Sequence, residues 1–361
     1  MSPLSYLNTL SYFEYKLLLS DPATFFKELV VSNYNGKGYG NLFGSTGSFW
    51  NDLEQNLLAK GLAPFNFISQ GNYYVNNLWF NFFGFFGHIA LFRVFQHIYP
   101  KQKLLVLLGC FCIPTMLFYA SCIGKDNVVF TSMGMYCFAL YFYSKAGFTL
   151  KRFAWLLLFF AVLLLMRNHI ALLIIPPAAA FYYSSRRKLN PLPVFGAFIT
   201  GILILLIVVP LLTPSINPAS ILSQKQADFL AIGQANSQIV TTPLEPTNAG
   251  LLKNMPEAIN HGLLRPYLWE GQSMFTFLQG LELTIIILIV AGSFIQFIRS
   301  SGKQHIHSFV IVGIVFSVMV MLMNGYIVPN THTLVRYRSL YLPFILIPAL
   351  CGAFGKLGIK H

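Results

Sequence analysis

From about residue 79 onward the chain is a succession of apolar runs, most of them near the length that crosses a bilayer. A hydrocarbon core about 30 Å thick needs roughly 20 mostly apolar residues per helix. Runs of that kind lie at about 79–99, 103–123, 127–146, 153–168, 169–184, 192–212, 281–298, 306–324 and 340–357. The predicted fold class is therefore all-α, a polytopic transmembrane helix bundle of about nine spans with extracytoplasmic amphipathic helices. The fourth and fifth runs are short, and only Arg167, Asn168 and His169 separate them; one broken helix or a re-entrant pair is the alternative. Charged residues make up 10% of the 361, against about 25% in soluble domains. That shortfall excludes a solvated globular enzyme, a disordered chain and a nucleic-acid binder.

The net charge of +13 reads as topology before it reads as a partner. Half of the 24 basic residues fall at every second connection. They are Lys101 and Lys103; Lys145, Lys151 and Arg152; Arg186, Arg187 and Lys188; Arg299 and Lys303; and Lys356 and Lys360. No acidic residue lies among them, as for cytoplasmic loops, so the C-terminus is expected in the cytoplasm and residues 1–78 outside. Four parts follow: an extracytoplasmic or interfacial segment 1–78, a first bundle of about six spans 79–212, an extracytoplasmic loop 213–280, and three last spans 281–361. Residues 1–78 contain no signal-like apolar core. Either a helix precedes Met1, making ten spans, or the segment lies on the membrane surface, with Tyr12–Val31 as an amphipathic stretch. Ser220–Gln238 reads as a second interfacial helix. The five cysteines form no CxxC pair and read as small buried hydrophobes.

On the non-cytoplasmic side the ionisable residues collect near span ends, where Arg and Asp are costly unless they face the bundle interior or water. Lys125, Arg167, Arg265, Arg336 and Arg338 come from four separate connections. Brought together they would bind an anion, and the planar fork of Arg suits phosphate and diphosphate. Asp126, Glu270 and His169 are the candidate bases for an incoming hydroxyl. Asp52 and Glu54 read as a solvated pair held in reserve. Each feature also has a bland reading: a local Lys125–Asp126 ion pair, helix capping by 167–169, an interfacial belt at Tyr267 and Trp269, and lipid headgroup contacts for Arg336 and Arg338. No His, Cys or acidic cluster has metal-ligand spacing, and neither metal nor cofactor is needed. A substrate with a lipid tail and a phosphate head suits such a place, the partners being a polyprenyl-diphosphate-linked glycan and membrane lipids.

The segments NNLWFNFFGFFGHIALFRVF, IPTMLFYASCIGKD, MRNH, RPYLWEG and LVRYRSLYLPF, in that order, resemble multi-pass proteins of bacterial exopolysaccharide and O-antigen clusters. In layout they are similar to Wzy-type and EpsG-type polysaccharide polymerases, and more remotely to polyprenyl-dependent GT-C glycosyltransferases. The resemblance runs from about Asn76 onward and implies a bacterial inner-membrane location, a lipid-linked glycan substrate and work beside other polysaccharide-assembly proteins. The acidic pair of the first outer loop of GT-C enzymes has no match here, and the large outer loop is short. Both departures favour the polymerase reading. A transporter or flippase of lipid-linked glycans, and a non-catalytic subunit of an assembly complex, are the competing classes.

Overall fold

A computed structural model describes residues 3–30, 49–147, 149–213, 217–231, 237–270, 273–299 and 306–354. Among these residues the regular structure is helical, apart from one antiparallel bridge between Gln238 and Asn330. The N-terminal segment folds as α1 (Pro3–Ser20), α2 (Pro22–Lys27), α3 (Phe49–Leu62) and the short α4 (Asn66–Ser69). The expected amphipathic stretch from Tyr12 is instead split at Asp21. Its carboxylate caps α2 by accepting from the Thr24 amide at 3.1 Å, and Pro22 follows at a position whose missing N–H costs nothing. α1 packs on α3 around a buried Lys60–Glu14 ion pair at 2.7 Å. Asn76 Nδ2 donates to the side-chain oxygens of both Asn8 and Asn66 where this segment meets the first long helix, which ties the three buried amides into one network.

Thirteen further helices follow: α5 (Tyr73–Ile98), α6 (Lys103–Phe111), α7 (Pro114–Ala120), α8 (Lys125–Ala146), α9 (Leu150–Met166), α10 (Asn168–Arg187), α11 (Pro191–Leu212), α12 (Pro218–Ala231), α13 (Asn248–Ile259), α14 (Met274–Arg299), α15 (Ser308–Ile327), α16 (Thr331–Ser339) and α17 (Leu342–Phe354). By length and composition α5, α11, α14 and α15 could each cross a membrane. The pairs α6–α7 and α16–α17 raise that to six if each is one span, bent by 48° and 65°. The predicted uninterrupted span at 103–123 is therefore broken. Pro114 pushes Ile113 out of the helical region, to φ −82° and ψ 111°, and restarts the helix one residue later.

α5 and α8 run side by side in the same direction, and small residues let their backbones meet. A Cβ on Gly87 would lie 2.5 Å from the Thr131 Cα, and one on Gly134 would lie 2.4 Å from the Gly87 carbonyl oxygen. Close approach of this kind is how helices associate where lipid removes the hydrophobic drive. At the far ends of these helices Phe95, Tyr141, Phe181 and Phe309 pack edge to face. Lys145 lies over the Tyr141 ring, with its ammonium 4.6 Å from the centroid. Lys101, Lys103, Lys151, Arg152 and Arg186–Lys188 occupy helix termini on that same side. Lys303, Lys356 and Lys360 lie outside the described residues, as does the side chain of Asp52. α11 stands at the periphery with only Pro191 and Phe195 buried, as its unbroken apolar sequence requires of a helix facing lipid.

α12 begins close to the expected 220 and is described to Ala231, and residues 239–245 carry no regular structure. α13 passes through a π-helical turn at Asn260–Leu264, which presses on α15. A Cβ on Gly262 would be 2.2 Å from the Met321 carbonyl oxygen, so glycine is required at that crossing. His88, in the first span, is buried; its Nδ1 donates to the Cys110 carbonyl at 2.9 Å and its ring lies 4.4 Å from Phe130. Cys110, Cys137 and Cys351 are buried free thiols, while Cys112 is exposed and Cys122 half-buried.

Candidate functional site

The start of α8, the junction between α9 and α10, and α16 meet at the end of the bundle opposite the basic helix termini. Asp126, in the first turn of α8, is 4% exposed. Its Oδ1 accepts from Arg167 Nη2 at 2.5 Å, and its Oδ2 accepts from Arg336 Nε. Asp126 and Arg336, 210 positions apart in sequence, are thus brought into contact. Arg167 is placed there by a helix break: its φ of −151° and ψ of 86° end α9 and open α10. Its guanidinium also lies 4.1 Å from the centre of the Tyr337 ring, a contact worth more once desolvated. Arg167 is buried, whereas the Arg336 side chain keeps 42% of its surface exposed. Two guanidinium groups on one carboxylate leave one positive charge in excess, on the exposed partner.

The neighbouring Lys125 does not join this carboxylate. It donates to Glu54 Oε1 of α3 at 2.6 Å. Glu54, expected as part of a solvated pair, is instead buried; burial pushes its carboxyl above the usual range, and Lys125 and then Arg167 act against that shift. His169, in the first turn of α10, is half-buried and has Arg167, Lys125 and Lys225 as its charged neighbours.

A second group lies in the loop ahead of α14. Arg265 forms an ion pair with Glu270, Nε to Oε1 at 3.0 Å, and the Tyr267 amide donates to Glu270 Oε2 at 3.1 Å. Tyr267 and Trp269 stack with centroids 4.8 Å apart. Arg338 ties this loop to α16, donating from Nη1 to the Arg265 carbonyl at 2.6 Å. Arg336 and Arg338, two residues apart on a helix, thus point to different faces, one to Asp126 and the other to the loop. The sequence adjacency that suggested a shared ligand is resolved by the helical turn. His261, in the π-helical turn, is buried 4.0 Å from Glu257. Burial, and then Arg265, hold its imidazole below the ordinary value of 6.5, while Glu257 acts in the opposite direction.

Glu282 is a participant that sequence reasoning placed only as the start of a span. It lies two turns inside α14 and bonds the first turn of α7: the Thr115 amide at 3.1 Å and the Thr115 hydroxyl at 2.7 Å. It caps the broken span from a different helix, at the terminus where backbone N–H groups are unsatisfied. A carboxylate inside an otherwise apolar run was the available signal. Glu282, Thr115 and Gln279 form the polar end of an otherwise apolar groove of about 570 Å³ that continues along Phe118, Leu278 and Ile285. Tyr119 joins groove and carboxylate site, accepting from Gln279 Nε2 at 3.2 Å within the field of Arg336 and Asp126.

No group of three or more His, Cys, Asp or Glu side chains gathers as a metal site among the described residues. No protein-family model, no curated protein and no solved structure matches the chain. The site therefore stands on its own geometry.

Proposed function

We propose that this protein is a membrane glycosyltransferase of the polysaccharide-polymerase kind, acting on polyprenyl-diphosphate-linked sugars at the outer face of the bacterial inner membrane. The observation carrying this reading is the Asp126 carboxylate clamped by Arg167 and Arg336, with its surplus cationic charge beside an apolar groove. Counting α6–α7 and α16–α17 as one span each, and α8, α9 and α10 as spans, gives nine crossings. Basic helix ends then face the cytoplasm and the Asp126 site faces outward. In this reading the diphosphate meets the exposed Arg336, with Arg265 and Lys125 at the rim. Negative charge grows on the diphosphate as the glycosidic C–O bond breaks, so guanidinium contacts strengthen in the transition state. Both oxygens of Asp126 are already bound to arginines, which makes it the residue that positions them. Glu270 and His169 stay as candidate bases for the acceptor hydroxyl.

The test is extension of a labelled lipid-linked oligosaccharide by purified protein in liposomes. Wild-type protein is expected to lengthen the glycan, and Arg336→Gln to do so about 100-fold more slowly, the effect of losing one oxyanion donor, with unchanged thermal stability. Equal extension by wild type and Arg336→Gln would overturn the site, and no extension by wild type the activity.

A further inference from the structure

Arg338 is the second fully buried arginine, 4% exposed, and it lacks what the first one has. Arg167 is neutralised by Asp126, whereas no carboxylate among the described residues lies within ion-pair distance of Arg338. Its Nη1 reaches only the carbonyls of Arg265 at 2.6 Å and Gly262 at 3.4 Å, and its Nε has no partner. Glu282 acts on Arg338 only from beyond ion-pair distance and is itself taken by Thr115. A buried charge without a contacting counter-charge costs several kcal/mol, so an anion from outside the chain is the natural complement.

The surroundings say which anion. Arg338 lines one end of a cavity of about 880 Å³ between α14, α15 and α17. Apart from that end its walls are overwhelmingly apolar. On α14 the lining extends from Leu283 to Phe297, about 21 Å at 1.5 Å per residue and longer than one leaflet of a hydrocarbon core of about 30 Å. α14 and α15 both pack on α17. Along the sides Ile287, Phe294, Ile314 and Val318 are exposed. The mouth thus opens sideways on surfaces that face lipid, not upward into water.

We propose that this cavity holds an anionic phospholipid of the surrounding bilayer, its phosphate against the Arg338 guanidinium and an acyl chain along α14. A phosphate diester supplies the missing charge and accepts the parallel donors of a guanidinium. Its tail fills a slot that water would occupy at a cost. The lipid braces α16 against the loop carrying Arg265 and Glu270. The proposal depends on the membrane setting alone and not on glycan transfer.

The experiment uses full-length protein delipidated in mild detergent and exposed to vesicles of dioleoylphosphatidylglycerol or dioleoylphosphatidylcholine. Bound lipid is counted by native mass spectrometry and Tm is recorded. One phosphatidylglycerol per chain is expected, with a raised Tm, and phosphatidylcholine should do neither. Arg338→Gln should weaken retention about tenfold or more, the loss of a charge-assisted hydrogen bond. Ala291→Trp, at an exposed lining position, should block the acyl slot while leaving the fold intact, and it decides the matter if Arg338→Gln does not fold. Equal retention of the two lipids would overturn the proposal, as would undiminished phosphatidylglycerol on Ala291→Trp. Displacement of phosphatidylglycerol by an equimolar polyisoprenyl phosphate would overturn it too, giving the cavity to a substrate.

Discussion

Asp126 and Arg338 are both buried charges, and the difference between them is the count of partners. Asp126 sits under two guanidinium groups: loss of the buried Arg167 is the costly one, loss of the half-exposed Arg336 leaves the carboxylate still paired, and together they fix three chain segments in register. Lys125, adjacent in sequence, turns away to Glu54. One titratable group outside the spans gives a measurable consequence. His261 is held below 6.5 by burial and Arg265. Its contribution to stability is present above that pH, where it is neutral folded and unfolded. It is lost as pH falls and the unfolded chain takes up a proton that the folded one resists. Wild-type protein should therefore lose more Tm than His261→Gln between pH 7.5 and 5.5, and equal losses would refute the linkage.

At the scale of helices, two devices place the site. Breaks come first: Pro114 separates α6 from α7, Arg167 separates α9 from α10, and α16 bends from α17 by 65°. Each break opens backbone groups that a side chain from elsewhere must meet, as Glu282 does at Thr115. Close glycine crossings come second. Gly134 lies against the Gly87 carbonyl, so a larger side chain must push α8 from α5. Gly134→Val should cost about 1–3 kcal/mol, as overpacking does, and should also loosen the Asp126 site, since α8 begins with that residue. A variant with unaltered Tm in detergent would show that the two helices tolerate separation.

For the whole molecule, charge is segregated between two ends. Lys151 lies in the first turn of α9 at the basic end, while Val240, 95% exposed, sits in the loop beyond α12 at the other. A cysteine replacing Val240 should react with an impermeant thiol reagent applied to intact cells, and one replacing Lys151 should not. Reaction at both, or the reverse pattern, would contradict the proposed sidedness. The positions of α8, α10, α11 and α15 were legible in the sequence to within a few residues, because apolar composition over a helical length needs no tertiary information. The start of α14 at Met274 was not, since the polar residues around Gln279 and Glu282 pack against α7 instead of marking a loop.

An all-helical chain with membrane-length helices and a one-sided distribution of basic residues can be read from composition and order alone, because solvent, bilayer and charge act on each segment separately. The sequence also picked out Lys125, Asp126, Arg167, His169, Arg265, Glu270, Arg336 and Arg338 as candidate site residues. Who answers whom came from tertiary packing: Arg167 and Arg336 to one aspartate, Lys125 to Glu54, Glu282 to Thr115, and Arg338 to no carboxylate within ion-pair distance among the described residues. Pairing across many tens of residues depends on which helix faces meet, and that is set by glycine crossings and proline breaks acting together, not by any local pattern.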